Sequence, residues 1–430
     1  MKITFWGATD EVTGSMTFLD FEQTRIMVDS GLAQGTDEVE KINLLQLPFE
    51  ASTIHAVFIT HAHLDHSGYL PRLIKKGFRG QIFCTPATAK LMRIILTDSA
   101  SLMDESFYSS KDVVTTLQLV KTVEWEEKIN INDSTFHFQP AGHILGASSL
   151  IIKHSNKKIV FSGDLGRHDD PLFLTPVECP EADLIIMEST YGGKCRQGNI
   201  DKELASFLIK ISREERVGIV ASFAVARAQM LLTLIHDFFQ RHPEEKVKVY
   251  IDSPMMKEAN QVYKQYAHLT TRPHDLYNAL DEIEPIDYLR QWDSIKKKKG
   301  PLIIISSSGM LTGGRIFRHL QNWQHDAGAI LFLPGYQGVG TPGRAMIEGN
   351  RTLKNQDKDS ATWSGEVLTS EAFSSHADQS ELIKWLTSKN QATRVFLLHG
   401  ETASKLALKE KLQERKFSVE IPERGKTLEL

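Results

Sequence analysis

At 430 residues, with 41% hydrophobic and 24% charged residues, the chain has the composition of a globular protein of two substantial domains or one elaborated one. A net charge of −4 excludes capture of a polyanion by whole-molecule attraction, so any such ligand must sit in a local groove. The three cysteines, Cys84, Cys179 and Cys195, form no CxxC pair and argue against a disulfide framework or a thiolate zinc site.

The chain enters a strand-like run at once, Ile3 to Trp6, without a basic leader and apolar stretch, and no later run is long and apolar enough to span a membrane. The expectation is a cytoplasmic protein with no membrane contact. Gly7 to Ser15 reads as a turn, and Ile26 to Val28 as a strand ending at Asp29-Ser30-Gly31. The apolar run Ala56 to Ile59 then leads into His61-Ala62-His63-Leu64-Asp65-His66, four potential metal ligands within six residues. His61 and His63 alternate as on an extended segment, whereas Asp65 and His66 fall where the chain begins to coil. The donors therefore diverge towards two neighbouring points, which suits two metals. Imidazole with carboxylate favours zinc, manganese or iron over calcium or magnesium.

Helical spacing follows over Leu70 to Lys76, a strand over Gln81 to Cys84 and a helix over Pro86 to Met103. Phe136 to Phe138 runs towards His143, Lys158 to Phe161 towards Asp164, Leu184 to Met187 into Glu188, and Val395 to Leu398 into His399. With Asp29 and His61, six chemically able residues lie just beyond strand-like runs. Strand ends gathered on one sheet edge bring distant residues into one cleft, where α/β proteins place their sites.

Between about Asp201 and Trp363 strands and helices alternate: Val217 to Val220, a helix from Val225 to Arg241, Val247 to Ile251, a helix from Lys257 to Ala267, Leu302 to Ile305, a helix from Arg315 to Trp323, and Ala329 to Phe332. Such alternation predicts βαβ units around a parallel sheet. The expected organisation is a first domain over 1–200 and 366–430, interrupted by a second over 201–365. Small polar residues after the inserted strands, Ser307, Ser308 and Gly309 above all, can present N–H and hydroxyl groups to phosphate oxygens, or simply cap helices. Arg315 and Arg344, in glycine-rich contexts, suit a phosphodiester. The run Lys296 to Lys299 reads as a solvated loop. A helix starting near Glu381 and, at the end, a helix and a closing strand complete the pattern.

The ligand cluster, with Asp29, His143 and Asp164, resembles the metal site of the metallo-β-lactamase fold. Glu188-Ser189-Thr190-Tyr191-Gly192, Phe373-Ser374-Ser375-His376-Ala377-Asp378 and Leu398-His399-Gly400-Glu401 resemble the three further motifs of the β-CASP nucleases. Ser222 to Gln229, Asp252-Ser253-Pro254-Met255, Ser308-Gly309-Met310 and Gly335-Tyr336-Gln337 extend that resemblance into the inserted domain. The chain departs from it at Ala226, where Gly is usual, and at Pro342, where Leu is frequent. Without the added modules of some archaeal and longer members, it is most similar to the compact bacterial RNA-processing enzymes.

The resemblance implies an α/β fold, a metallo-β-lactamase αββα sandwich with an inserted parallel α/β (β-CASP) domain. It implies two Zn2+ (Mn2+ fits the same ligands), with His61, His63 and His143 on one and Asp65, His66 and His399 on the other, Asp164 bridging, and Asp29 holding a ligand histidine from behind. The implied activity is zinc-dependent hydrolysis of single-stranded RNA, endonucleolytic with 5' exonuclease action left open by the sequence, giving 5'-phosphate and 3'-hydroxyl ends, because paired metals activate water without needing the ribose 2'-OH. Asp65 would orient or deprotonate the nucleophile, and His376, oriented by Glu188, would protonate the leaving oxygen. RNA would enter a cleft between the domains on Ser307, Ser308, Gly309, Arg315 and Arg344. Rival readings are a thioester or lactone hydrolase, a non-catalytic RNA-binding subunit and a DNA-directed nuclease. A homodimer is compatible with the sequence but not required by it.

Overall fold

β-Branched and aromatic residues crowd the short runs picked out above, and in the computed structural model each of those runs lies in a strand to within one residue at its ends. The structure describes residues 1–22, 24–286, 291–338, 340–354, 360–386 and 393–429. It divides into two compact units, Met1–Cys195 with Ser375–Leu430, and Arg196–Ser374.

The first unit contains two seven-stranded sheets. One runs, in spatial order, Thr427–Glu429, Lys2–Phe5, Thr17–Phe21, Thr24–Val28, Ala56–Phe58, Gln81–Cys84 and Val120–Thr122; the other runs Ser418–Glu420, Arg394–Leu398, Leu184–Glu188, Lys157–Phe161, Ser148–His154, Ser134–Pro140 and Ile129–Ile131. Side chains from both inner faces make one core. Phe58 stacks on Phe136 with ring centroids 4.4 Å apart and on Phe83 at 5.2 Å, and Phe5 stacks on Phe396 at 4.9 Å. Truncating Phe58 to Ala would cost about 3–5 kcal/mol, a large part of a domain's stability.

Parallel pairing decides where the site forms. Val28 is in register with Phe58, Phe161 with Ile186, and Glu188 with Leu398. Within each sheet these strands therefore finish together, and Asp29, Thr60, Ser162, Ser189 and His399 follow at one edge.

In the second unit six strands are all parallel, in the order Glu284–Pro285, Lys248–Asp252, Leu302–Ser306, Val217–Ala221, Ile330–Pro334 and Glu366–Ser370. The last of these, Glu366–Ser370, pairs with Ile330–Pro334 and so belongs to the second unit, Arg196–Ser374.

Helix starts differ from the expectation. The helix expected from Lys257 begins at Pro254, because Ser253 caps it through Met256 N (3.2 Å) and proline is tolerated in a first turn that needs no donor. The helix expected from Glu381 begins at Gln379, where Asp378 and Glu381 cap each other's backbone N–H. The chain closes on two short strands after its last helix, not one. Among the described residues no helix is long and apolar enough to cross a membrane. Burial pushes the Cys84 and Cys179 thiols up to about 12, while Cys195 is exposed.

Candidate metal centre

Asp29 and His399 both follow strands with the backbone in the left-handed region, φ 56° and 49°. That conformation is costly for residues other than glycine and persists only where neighbours enforce it. Asp29 N donates to Phe58 O (2.9 Å), and His399 N to Ala8 O (2.8 Å), while His399 O accepts from Ser189 N (3.1 Å). The coiling segment after His63 is held just as closely. A Cβ on Gly31 would lie 1.7 Å from Asp65 O, so only glycine lets the Asp29 loop pass there.

Asp29 is fully engaged by this frame. Its Oδ1 accepts from Thr60 N (2.8 Å), and its Oδ2 accepts from Thr60 Oγ1 (2.9 Å) and lies 2.7 Å from His66 Nδ1. His66 thereby turns Nε2 the other way. Thr190 Oγ1 lies 3.1 Å from His399 Nδ1. The sequence marks Thr60 only by its place beside His61, and Thr190 only as a member of the Glu188–Gly192 motif, without a role for either hydroxyl.

Seven side chains converge in two groups, His61, His63, His143 and Asp164, and Asp65, His66 and His399, each of which could hold a metal ion. The donor set passes a direct test of fit. A tetrahedral zinc with bonds of roughly 2.0–2.1 Å to nitrogen has donors about 3.3 Å apart. In the first group His63 Nδ1 is 3.1 Å from His61 Nε2 and 3.2 Å from His143 Nε2, while Asp164 Oδ2 is 3.6 and 3.7 Å from those same two nitrogens. In the second, His399 Nε2 is 3.2 Å from both His66 Nε2 and Asp65 Oδ2. Asp164 Oδ1 lies 3.2 Å from His66 Nε2 yet makes no hydrogen bond, and neither does the buried His143 Nδ1. One carboxylate therefore faces both groups, an oxygen to each.

Charge follows the same division. Burial, with the neighbouring histidines, pushes His61 and His143 well below the ordinary imidazole range against the pull of Asp164, and burial takes His63 down to about 4. These rings keep lone pairs available for a cation. Burial also disfavours charge on His66, but Asp164 and Asp29 outweigh it and raise its pKa well above the usual value. Asp164 is held well below the carboxylate range, its burial overcome chiefly by His399, His66 and His61. Asp65 is lowered too, its burial outweighed by the His399 hydrogen bond and by His66.

His376 lies outside both groups. Its Nδ1 is 3.3 Å from Glu188 Oε1 and 4.0 Å from Asp164 Oδ2, and its ring centroid is 4.4 Å from that of His143. Glu188 is fixed in turn, Oε1 accepting from Leu165 N (2.7 Å) and Oε2 from Thr190 N (3.1 Å). A bridge between Gly166 and His376, with Ala377 N donating to Leu165 O (2.8 Å), sets the backbone. Burial lowers the His376 pKa, but the charge and hydrogen bond of Glu188, then Asp164 and Asp65, raise it overall.

The remaining candidates lie in the second unit. Ser308 N donates to Gly313 O (3.3 Å) and Ile316 N to Ser307 O (3.1 Å), which brings Ser307, Ser308, Gly309 and Arg315 into one loop. Gly343 N donates to Met310 O (2.9 Å), which places the start of the Pro342–Ile347 helix against that loop. Arg344 pairs through Nε with Glu348 Oε1 (2.7 Å).

Three family profiles match successive stretches of the chain. The metallo-β-lactamase superfamily profile matches residues 9–193, the Beta-Casp domain residues 228–346, and the Zn-dependent metallo-hydrolase RNA specificity domain residues 364–422. The chain is 32% identical over 417 residues to "Ribonuclease TTHA0252" of Thermus thermophilus, covering 95% of each. It is 28% identical to an "RNase J-like protein" of Methanocaldococcus jannaschii, over 94% of this chain and 93% of that one. It is also 28% identical to "Cleavage and polyadenylation specificity factor 73" of Drosophila melanogaster, of which it spans 61%. A crystal structure of a protein of unknown function from Enterococcus faecalis shares the fold, with a TM-score of 0.59 at 16% identity over 99% of both chains.

Proposed function

The chain belongs to the β-CASP ribonucleases of the metallo-β-lactamase superfamily, and from that premise we propose that it is a zinc-dependent enzyme hydrolysing phosphodiester bonds of single-stranded RNA. Cleavage is endonucleolytic and leaves 5'-phosphate and 3'-hydroxyl ends. The observation that carries this reading is Asp164, whose two oxygens face two separate sets of donors spaced for metal coordination.

His61, His63 and His143 would hold one ion and Asp65, His66 and His399 the other, with Asp164 facing both groups. Such a pair, when bound, supplies a water acidified to a pKa of about 7 and positive charge beside the phosphoryl oxygens. Asp65 orients the attacking water, being the donor nearest the solvent side of its group. Asp29 fixes the His66 ring by accepting from Nδ1, which directs Nε2 inward. As the P–O3' bond breaks, His376 delivers a proton to the departing oxygen. Glu188 occupies its Nδ1 side, so Nε2 is the nitrogen for that transfer. No step uses the 2'-hydroxyl. In the inserted unit the Ser307–Gly309 loop, Arg315 and Arg344 contact the strand's phosphates, so sequence preference is weak. The zinc identity of the ions and a cytoplasmic location belong to the same proposal.

The test is a panel of labelled single-stranded RNA, single-stranded DNA and a thioester, each with and without chelator, followed by mapping of the RNA ends. Chelator-sensitive cleavage of RNA to 5'-phosphate fragments is expected. Turnover of the thioester alone, or RNA binding with no cleavage, would end this reading.

A further inference from the structure

The second unit holds a buried polar group to which no role has yet been given. Asp252 ends the strand Lys248–Asp252 and is 1% exposed. Both of its oxygens are occupied, Oδ2 by His319 Nε2 at 2.7 Å and Oδ1 by Arg315 Nη1 at 2.8 Å. Ser306 Oγ donates to Asp252 O (2.8 Å), which fixes its backbone.

His319 is wholly buried in the helix Ile316–Trp323, its ring centroid 5.3 Å from Trp292 and 6.1 Å from Trp323. A carboxylate oxygen opposite Nε2 puts the ring hydrogen on that nitrogen, and Nδ1 makes no hydrogen bond. The imidazole thus has one polar contact, with Asp252. An apolar pair would fill the same volume without the cost of desolvating a carboxylate and an imidazole, so stability alone does not account for them.

What the pair does hold is Arg315. Its side chain is 41% exposed, and it closes the loop begun by Ser307, with Thr312 N donating to Ser308 Oγ (2.9 Å). A surface arginine ordinarily samples many rotamers and loses them on binding, whereas one gripped by a buried carboxylate has lost them beforehand. Arg315 reaches the carboxylate through Nη1, and His319 shares the same carboxylate through its other oxygen.

We propose that Asp252 and His319 are positioning residues that preset Arg315 as a contact to one phosphodiester of the RNA strand. The inference rests on the ribonuclease reading above. It is tested by steady-state cleavage of single-stranded RNA across a salt series, with thermal melting to show that each variant is folded. Arg315→Ala raises KM about tenfold with little change in kcat, the usual worth of one charge-assisted hydrogen bond. It also makes log(kcat/KM) against log salt shallower by about 0.7, the share of one phosphate on a single strand. His319→Leu moves both quantities the same way, His319→Gln, whose amide N–H reaches the Nε2 position, restores them, and His319→Leu adds nothing to Arg315→Ala. A lower melting temperature with KM and salt slope unchanged, or effects that multiply in the double variant, would overturn the proposal. If His319→Leu does not fold, Asp252→Asn takes its place with the same expectations. Wild-type protein that cleaves no RNA at any salt fails the underlying reading instead, before any variant is compared.

Discussion

Replacing His376 with alanine separates proton transfer from metal binding more cleanly than any other change. Its Nδ1 is 3.3 Å from Glu188 and 4.0 Å from Asp164, and it contributes to neither donor group, so removing it leaves seven donors in place. Glu188 stays anchored by Leu165 N and Thr190 N. What is lost is a positioned acid, worth about two to four orders of magnitude in rate, or roughly 3–5 kcal/mol of barrier. Single-turnover cleavage should slow by that factor while elemental analysis finds the wild-type metal content. A 3'-thio-substituted linkage sharpens the assay, because a thiolate departs without a proton. On that substrate the variant should approach the wild-type rate. Loss of metal from His376→Ala, or an equal defect on the oxygen and sulfur substrates, would refute the role.

Four further outcomes follow from the geometry. Asp29→Asn puts an amide where His66 Nδ1 needs an acceptor, so the Asp65–His66–His399 ion should bind about 10–100-fold more weakly in chelator competition with the other ion unaffected; equal weakening of both would contradict the arrangement. Burial raises the Asp170 pKa to about 6 from 3.8, its Oδ2 enclosed without a partner, so the native chain keeps a proton that the unfolded chain has released and the stability present below about pH 4 is lost as pH rises through 6. That amounts to about 2–3 kcal/mol, and Asp170→Asn should flatten the melting temperature between about pH 4 and 6.5, whereas parallel wild-type and variant curves over that window would rule this out. Ala226 has φ 73° and ψ −69°, with Arg227 N donating to Val225 O (3.1 Å), a γ-turn strained for any residue with a Cβ; Ala226→Gly should stabilise the inserted unit by about 0.5–1 kcal/mol in urea unfolding, relief of strain exceeding the added chain entropy, and a lower midpoint would count against it. Alkylation of the native protein should label Cys195 alone, since Cys84 and Cys179 are buried with thiols held near 12, and labelling of either before unfolding would show those positions to be open.

The convergence of the candidate donors was legible because they sit beside strands whose apolar runs are unmistakable, and four of them fall within six residues. The parallel inserted sheet was legible for the same reason, its strands being continuous runs such as Leu302 to Ile305. What escaped were features that a residue's letter does not carry. Nothing in Pro254 announces a helix start until Ser253 is seen capping it, and Glu366–Ser370 reads as part of either unit until its pairing partner is known. Thr60 and Thr190 act through hydroxyls that point at Asp29 and His399, an orientation set by backbone alone. Asp252 opens one of the motifs, but His319, 67 residues further on, lies in none of them. Ala226 is the instructive exception. Its departure from the glycine usual in the resembling family was visible in the sequence, and the backbone there adopts the conformation that glycine favours.

The donor cluster is difficult to satisfy by hydrogen bonding alone, and this is the physical reason to regard it as built for cations. His63 Nδ1 lies between two imidazole nitrogens, at 3.1 and 3.2 Å, and a single ring hydrogen can serve only one of those contacts. Burial opposes the charged form of all three rings, so added protons do not resolve the conflict. Asp164 Oδ1, buried without a hydrogen bond, is a second unmet demand a few ångströms away. Two residues of this rim, Asp29 and His399, also hold unfavourable positive φ, and they are locked by hydrogen bonds to Phe58, Ala8 and Ser189 rather than by each other. Strain and unmet polar groups therefore fall on neighbouring residues of one rim, at the end of sheets whose cores are fully buried. A fold selected only for stability would have relaxed them; a positive charge at each donor group satisfies the orphan oxygen and the crowded nitrogens together.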